Sequence, residues 1–440
     1  MRLLLPILVI ALAGTVPANG SDALFTTKIL PILEEKCGGC HEEYFKTFHD
    51  SFHGKSTHLG MSSAATCSDC HTAHTNLAAS DPESTVSPDN RLATCGKCHD
   101  DVTDAFATFD PHNDPTDPND NFQVYIIYVF MTGLLIGVFA FFGIHDVLWL
   151  QRSLVGVMRG EFEEERRAAS GQWIRRFRRK NIRMHVVVIT TFILLALTGL
   201  PLKFSYAPWA QSLVDILGGV DSTRFIHRVA AIGTFGYLLF HVFDVLWRSV
   251  VRREKGMFWG PNSMTPQPKD LWDFLGNIRY FLYMGERPKG DRWTYFEKFD
   301  YLAVFWGVAM IGVSGLFLWH PDVVTRFLPG WTLNAAQVIH SDEALLATGF
   351  IFFFHFFHTH LRPESFPMDL VVFLGKMPLE RFKAERPLEY ERAVESGELE
   401  KMLVDAPNRR QIRDAYIFGS IYLVIGIILA IFIVWALLTH

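Results

Sequence analysis

The chain has 440 residues, 49% of them hydrophobic and 14% aromatic, and a formal net charge of −5. That length excludes a single small domain, and several apolar runs longer than about 18 residues point to the membrane class. The net charge says little about partners and leaves no basic footprint for nucleic acid, but Arg/Lys-rich stretches alternate with apolar ones along the chain.

Residues 1–20 read as a signal peptide. Arg2 supplies the positive n-region, Leu3 to Ala13 the apolar h-region, and Ala18 and Gly20 the small residues of a cleavage site. An uncleaved anchor is the other reading, and both export the polar segment that begins at residue 21.

Residues 21–121 are polar and hold all six cysteines, in three C-x-x-C-H motifs: Cys37, Cys40 and His41; Cys67, Cys70 and His71; Cys95, Cys98 and His99. No cysteine is left for a disulfide, which is unusual in an exported chain. In such a motif two thiols attach the vinyl groups of a haem and the adjacent histidine reaches the iron. A zinc site or stray disulfides are the bland alternatives, and three identical motifs in one exported stretch weigh against both. Candidates for the sixth iron ligands are His53, 12 residues after His41, and His112, 13 after His99. His74, close behind His71, is the third choice, and His49 and His58 are spare. So small a segment has little core of its own, so three porphyrins would supply its buried apolar surface. Asp110 to Asn121, rich in Pro, Asp and Asn, reads as an extended linker.

Six apolar segments come next, at 123–150, 184–204, 225–251, 300–320, 337–361 and 415–439, each long enough to cross a bilayer as a helix. The loop 151–184 carries ten Arg/Lys, and the loops 252–297 and 362–414 are also basic. The loops 205–224 and 321–339 carry one Arg each, Arg224 and Arg326. The positive-inside bias therefore puts the long loops in the cytoplasm and both termini outside.

Histidine in a membrane segment marks function by default. His227 and His241 are 14 residues apart, about 21 Å along a helix, and His340 and His355 are 15 apart, about 22 Å. Two helices with histidines at two depths would clamp two stacked haems. The competing reading, histidines bonded to carbonyls or to each other, suits one residue better than the set.

These residues carry a resemblance. Arg183-Met184-His185 with Thr198-Gly199 beyond it, Arg224-Phe225-Ile226-His227, Lys298 with Gly315-Leu316-Phe317-Leu318-Trp319, and Ile339-His340 leading to His355 together resemble the dihaem cytochrome b subunits of membrane formate dehydrogenases and nickel–iron hydrogenases. The resemblance covers residues 180–362. It implies that His227 and His340 hold an outer haem b and that His185 and His355 hold an inner one, with a quinone pocket by the inner haem near Lys298. Three features depart from the pattern. His241 lies at inner depth and rivals His185, His355 lies one residue farther from His340 than in that family, and His358 rivals His355. Joined to a multihaem c module, such a core looks like the quinone–cytochrome c oxidoreductases of bacterial inner membranes.

The expected fold is mainly α, a six-helix transmembrane bundle with an N-terminal haem-packed periplasmic cytochrome c module. The expected divisions are the signal peptide (1–20), the tri-haem module (21–121), a first transmembrane helix (122–150), the dihaem core (180–362), a cytoplasmic loop (363–414) and a sixth helix (415–440). The expected cofactors are three covalent haem c, two haem b and a quinone, with menaquinone expected and the quinone type left open by the sequence. The expected activity is quinol:cytochrome c oxidoreduction across the bacterial inner membrane, with a periplasmic c-type cytochrome or oxidoreductase as partner. Two other readings remain: a cytochrome b/c subunit of a larger complex, passing electrons from a periplasmic dehydrogenase to quinone, and a haem-based sensor. Glu297 and Lys298, at the inner start of the fourth segment, are the expected proton-handling pair of the quinone site, the alternative being an interface anchor. Of the three c haems, the one on Cys95, Cys98 and His99 is expected nearest the outer haem b, with the module folded back onto loops that carry Trp209, Phe327 and Trp331.

Overall fold

A computed structural model describes residues 38–161, 171–363 and 365–439, together with Ile32 and Glu35. The expected signal peptide and Cys37 lie outside the described residues.

Six helices among the described residues are long and apolar enough to cross a membrane: α1 (Phe122–Met158), α2 (Arg179–Lys203), α3 (Gly219–Val251), α4 (Tyr295–Trp319), α5 (Trp331–Leu361) and α6 (Arg409–Thr439). They begin earlier or run longer than the apolar segments alone indicate, because polar turns extend them. Asn121 caps α1 by accepting from Val124 N at 3.2 Å, and Glu297 closes the first turn of α4 by accepting from Thr294 N at 2.7 Å. Helix α2 packs on α3, α4 on α5 and α5 on α1, with α6 closing the side against α2. The central cluster unites Ile193 and Leu200 of α2, Phe352 and Phe356 of α5, and Leu429 and Ile433 of α6. Ile136, Ile144 and Val147 of α1, and Leu239 and Phe243 of α3, point outward. Such an apolar exterior needs a lipid environment.

Helix α5 is irregular where its histidines cluster. Phe350–His355 and Phe357–Leu361 form π turns. Each π turn absorbs one extra residue and sets later side chains back by about 100°. With one residue absorbed, His355 returns to within about 40° of the face of His340. With two, His360 also returns to it, whereas His358 is turned away. This is the physical account of the odd spacing between His340 and His355.

The N-terminal module consists of short helices, Glu42–Asp50, Phe52–His58, Cys67–His71 and Arg91–Cys95, joined by turns. Among the described residues its buried apolar side chains are few: Phe48, Leu59, Ala64 and Phe106. Gly54 is obligatory where the first two helices meet, because a Cβ there would lie 2.1 Å from the Phe48 carbonyl oxygen. Asp110 to Asn121 is not the extended connection that its composition predicts. Asn113 and the backbone of Asp114 both donate to Asp120, at 2.8 and 2.6 Å, and Asp114 and Asp117 close further turns. Asx turns of this kind compact a Pro/Asp-rich segment. The module seats on the near end of the bundle, where Asn334 donates to Asp110 O at 2.7 Å and Gly330 N donates to Thr108 Oγ1 at 3.0 Å.

At the far end, the long loops fold together. Strands β1 (Trp173–Arg175), β2 (Lys376–Pro378) and β3 (Leu403–Val404) form an antiparallel sheet in the order β2-β1-β3, with Ile174 opposite Met377 and Leu403. Ile174, Met377, Leu379 and Phe382 are its core. Ion pairs tie the loops to each other: Glu389 takes Arg176 at 2.9 Å and Arg292 at 2.5 Å, and Arg386 reaches Glu297 at 2.8 Å. Glu389→Ala strands the buried Arg176, so this cap should lose about 3–5 kcal/mol. Limited proteolysis of the 363–414 loop at rising temperature checks this; unchanged onset in the variant would show that the pair does not hold the cap.

Candidate functional site

One cavity of about 2660 Å³ runs without interruption from the N-terminal module into the bundle. Ordinary ligand pockets span about 300–1,000 Å³, and protein interiors are otherwise close-packed. At the module end its wall includes His41, His53, Cys67, Cys70, His71, Cys95, Cys98, His99 and His112. Inside the bundle it includes His185, His227, His340, His355 and His360. The wall is otherwise largely apolar side chains.

Histidines face each other across this space in pairs. The ring centroids of His53 and His99 are 6.2 Å apart, those of His71 and His112 6.3 Å, and those of His227 and His340 6.2 Å. A metal ion bound by an imidazole on each side, at about 2 Å per bond, requires ring centres roughly 6 Å apart. Pairing in the module crosses between motifs: His53 meets the histidine of the third motif, and His112 that of the second. Burial lowers the pKa of His53, His71, His99 and His112, which favours the neutral, ligating form. His74 is exposed and stands off the cavity wall, and His49 and His58 face each other at 5.4 Å.

In the bundle the ring orientations are fixed from behind. Thr198 Oγ1 donates to Leu194 O at 2.6 Å, so it accepts from His227 Nδ1 at 2.8 Å. His340 Nδ1 donates to Ile311 O at 2.9 Å, with Ser314 Oγ at 3.4 Å. Both rings therefore turn an unprotonated Nε2 forward. The residue after each hydroxyl is glycine. A Cβ on Gly199 would lie 3.4 Å from His227 Cε1, and one on Gly315 would lie 2.9 Å from His340 Cε1. The same hydroxyl–glycine device thus serves α2 against α3 and α4 against α5.

Deeper, His185 of α2 lies in electrostatic contact with His355 and His360 of α5. His355 Nδ1 is held by Asp300 Oδ2 at 2.9 Å. The Nδ1 atoms of His185 and His360 are buried without a hydrogen-bond partner, a state that asks for a ligand in that space. His241 stands off the wall, 2.8 Å from Tyr301 Oη, and His358 is bound to Asp146 Oδ1 at 2.7 Å. Glu297 and Lys298 both have counter-ions. Arg386 Nη2 donates to Glu297 Oε1 at 2.9 Å, and Lys298 Nζ donates to both oxygens of Asp270 at 2.9 Å. His360, Asp300 and the second-layer residues Thr198 and Ser314 are the members that sequence reasoning did not assign.

Compared with known proteins, the chain matches no family model and no curated protein.

Proposed function

We propose that this chain is a transmembrane electron carrier linking the membrane quinone pool to periplasmic electron carriers, most simply as a quinol:cytochrome c oxidoreductase. The observation that carries this reading is the continuous cavity bordered by opposed histidines at 6.2–6.3 Å and by C-x-x-C-H cysteines. The residues fit haem on three counts: ring spacing, buried imidazole nitrogens without partners, and glycines where a Cβ would crowd a ring. Haem supplies one-electron redox chemistry, and the protein supplies ligands, spacing and exclusion of water.

In this reading His53 with His99 and His71 with His112 are axial pairs of the c module, and His227 with His340 is the outer b pair. His185 with His355 or His360 is the inner b pair. Thr198, Ser314 and Asp300 orient the rings and keep each Nε2 free to ligate. The basic loops lie in the cytoplasm and the module in the periplasm. Quinol would react near the far end of α4. There Glu297 and Lys298 are already neutralised by Arg386 and Asp270, so we assign them to framing that end rather than to taking protons. Glu297→Gln should lower thermal stability and leave the pH profile of quinol oxidation in place; a displaced profile would return Glu297 to the proton path.

Haem content is the direct test. Purified protein should give three haems that resist acid–acetone extraction and two extractable b-type haems per chain by pyridine haemochrome. A preparation that is fully assembled but shows no b-type signal would end the dihaem part of the reading.

A further inference from the structure

A second polar cluster stands apart from the cavity near the far end of the bundle. His145 and Asp146 lie on α1 and His358 lies on α5, and all three are buried. Asp146 Oδ1 is 2.9 Å from His145 Nδ1 and 2.7 Å from His358 Nε2. Tyr295 Oη lies 2.6 Å from His145 Nε2. The other carboxylate oxygen, Asp146 Oδ2, is buried with no partner. Phe142, Trp149, Phe281 and Phe296 ring the cluster. One potential donor atom from each of the three residues lies within 4.8 Å of the other two.

We propose that His145, Asp146 and His358 bind one divalent transition-metal ion of the zinc class. Two imidazoles and one carboxylate form a nitrogen-rich set that suits zinc and its neighbours and not calcium or magnesium. A tetrahedral ion with bonds of about 2.0–2.1 Å sets its donors about 3.3 Å apart. The donors therefore separate by about half an ångström when the ion replaces the two hydrogen-bonding protons. Neutral His145 changes tautomer as the ion binds: its one proton moves from Nδ1 to Nε2, where it is donated to Tyr295 Oη, and Nδ1 is left facing the ion. Asp146 binds through Oδ1, and the fourth position is left to a water that donates to Asp146 Oδ2, which has no partner otherwise. Arg362 lies over Trp149 at 5.0 Å and adds positive charge nearby, so binding rests on the nitrogen donors more than on net negative charge. The ion joins α1, which leads in from the N-terminal module, to the π-turn region of α5 that also bears His355 and His360. It is thus a staple between the module's anchor helix and the bundle. This inference stands whether or not the cavity holds haem.

The test uses full-length protein purified from membranes without a polyhistidine tag and passed over a chelating resin. Elemental analysis should give one zinc per chain besides any haem iron. Zinc-edge X-ray absorption should show two imidazole nitrogens and carboxylate oxygen at about 2.0–2.2 Å. Asp146→Asn and His358→Gln should each lower zinc content at least about tenfold with the haem spectrum retained. Wild-type protein that carries no stoichiometric divalent metal and takes none up from added zinc chloride overturns the proposal, as does zinc retained by both variants. If either variant fails to assemble, the wild-type stoichiometry and its ligand set decide alone; a zinc without imidazole neighbours also overturns it.

Discussion

His227→Ala or His340→Ala should remove one of the two b-type haems and reduce quinol-driven reduction of a periplasmic acceptor by more than about 100-fold. That figure is a lower bound, because loss of an outer-layer partner alone typically costs about 10–100-fold in metal affinity or activity. The two rings, one on α3 and one on α5, face each other at 6.2 Å, and each has its Nδ1 committed behind it. No neighbouring histidine among the described residues is placed to substitute: His320 stacks on Trp319 at the end of α4, and His241 is bound to Tyr301. The matching conservative changes separate ligation from packing. Thr198→Val and Ser314→Ala keep the ligands and remove the hydroxyls behind them, so b content should fall less than in the alanine variants while the spectrum of the remaining haem shifts. Reduced-minus-oxidised spectra with stopped-flow mixing check both. Full b content and wild-type rates in both histidine variants would remove this pair from the assignment.

The six helices were legible because spanning a bilayer needs long apolar runs, and those runs do not depend on tertiary context. The facing of His227 and His340 was implied by the resemblance, and because both sit on regular α-helix no irregular turn displaces either ring. The deeper end was harder to read. The two π turns of α5 move His355 and His360 onto the cavity face and turn His358 toward Asp146, and nothing in periodicity at about 3.6 residues per turn announces a π turn. Cross-motif pairing in the module was also hidden, since His53 and His99 meet through turns that are not regular structure. The far-end sheet has strands of two or three residues, too short for an alternating pattern. The linker misled because Asp and Pro mark turns as readily as extended chain; here the carboxylates accept from their own backbone.

Removing both thiols of the third motif, in Cys95→Ala/Cys98→Ala, should leave quinol reduction of the b haems intact and stop electrons from reaching the remaining c haems. The reason is where this motif sits. His99 packs on Phe106 at 5.0 Å and lies in electrostatic contact with Asp322, at the near end of α4. Its partner ring, His53, belongs to the helix Phe52–His58. Just before that helix, Gln337 donates to Asp50 O at 2.5 Å, and Gln337 is three residues ahead of His340 on α5. Gly330 seals the same contact, since a Cβ there would lie 2.3 Å from Phe109 N. The segment 103–110 is therefore clamped to the loop between α4 and α5, with Thr103 Oγ1 3.3 Å from Thr325 Oγ1. The His71–His112 pair is tied to the bundle on the His112 side, through Asp110, whose carbonyl accepts from Asn334 and whose Oδ1 accepts from His112 N, whereas the His53–His99 pair is tied on both sides. The comparison variant is Cys67→Ala/Cys70→Ala, in which the third c haem should still be reduced by quinol at the wild-type rate. Haem staining of denaturing gels confirms that each variant keeps its other two covalent haems. Rapid quinol reduction of the remaining c haems in Cys95→Ala/Cys98→Ala, alongside failure in the comparison variant, would reverse the order and make the second motif the point of exchange with the bundle.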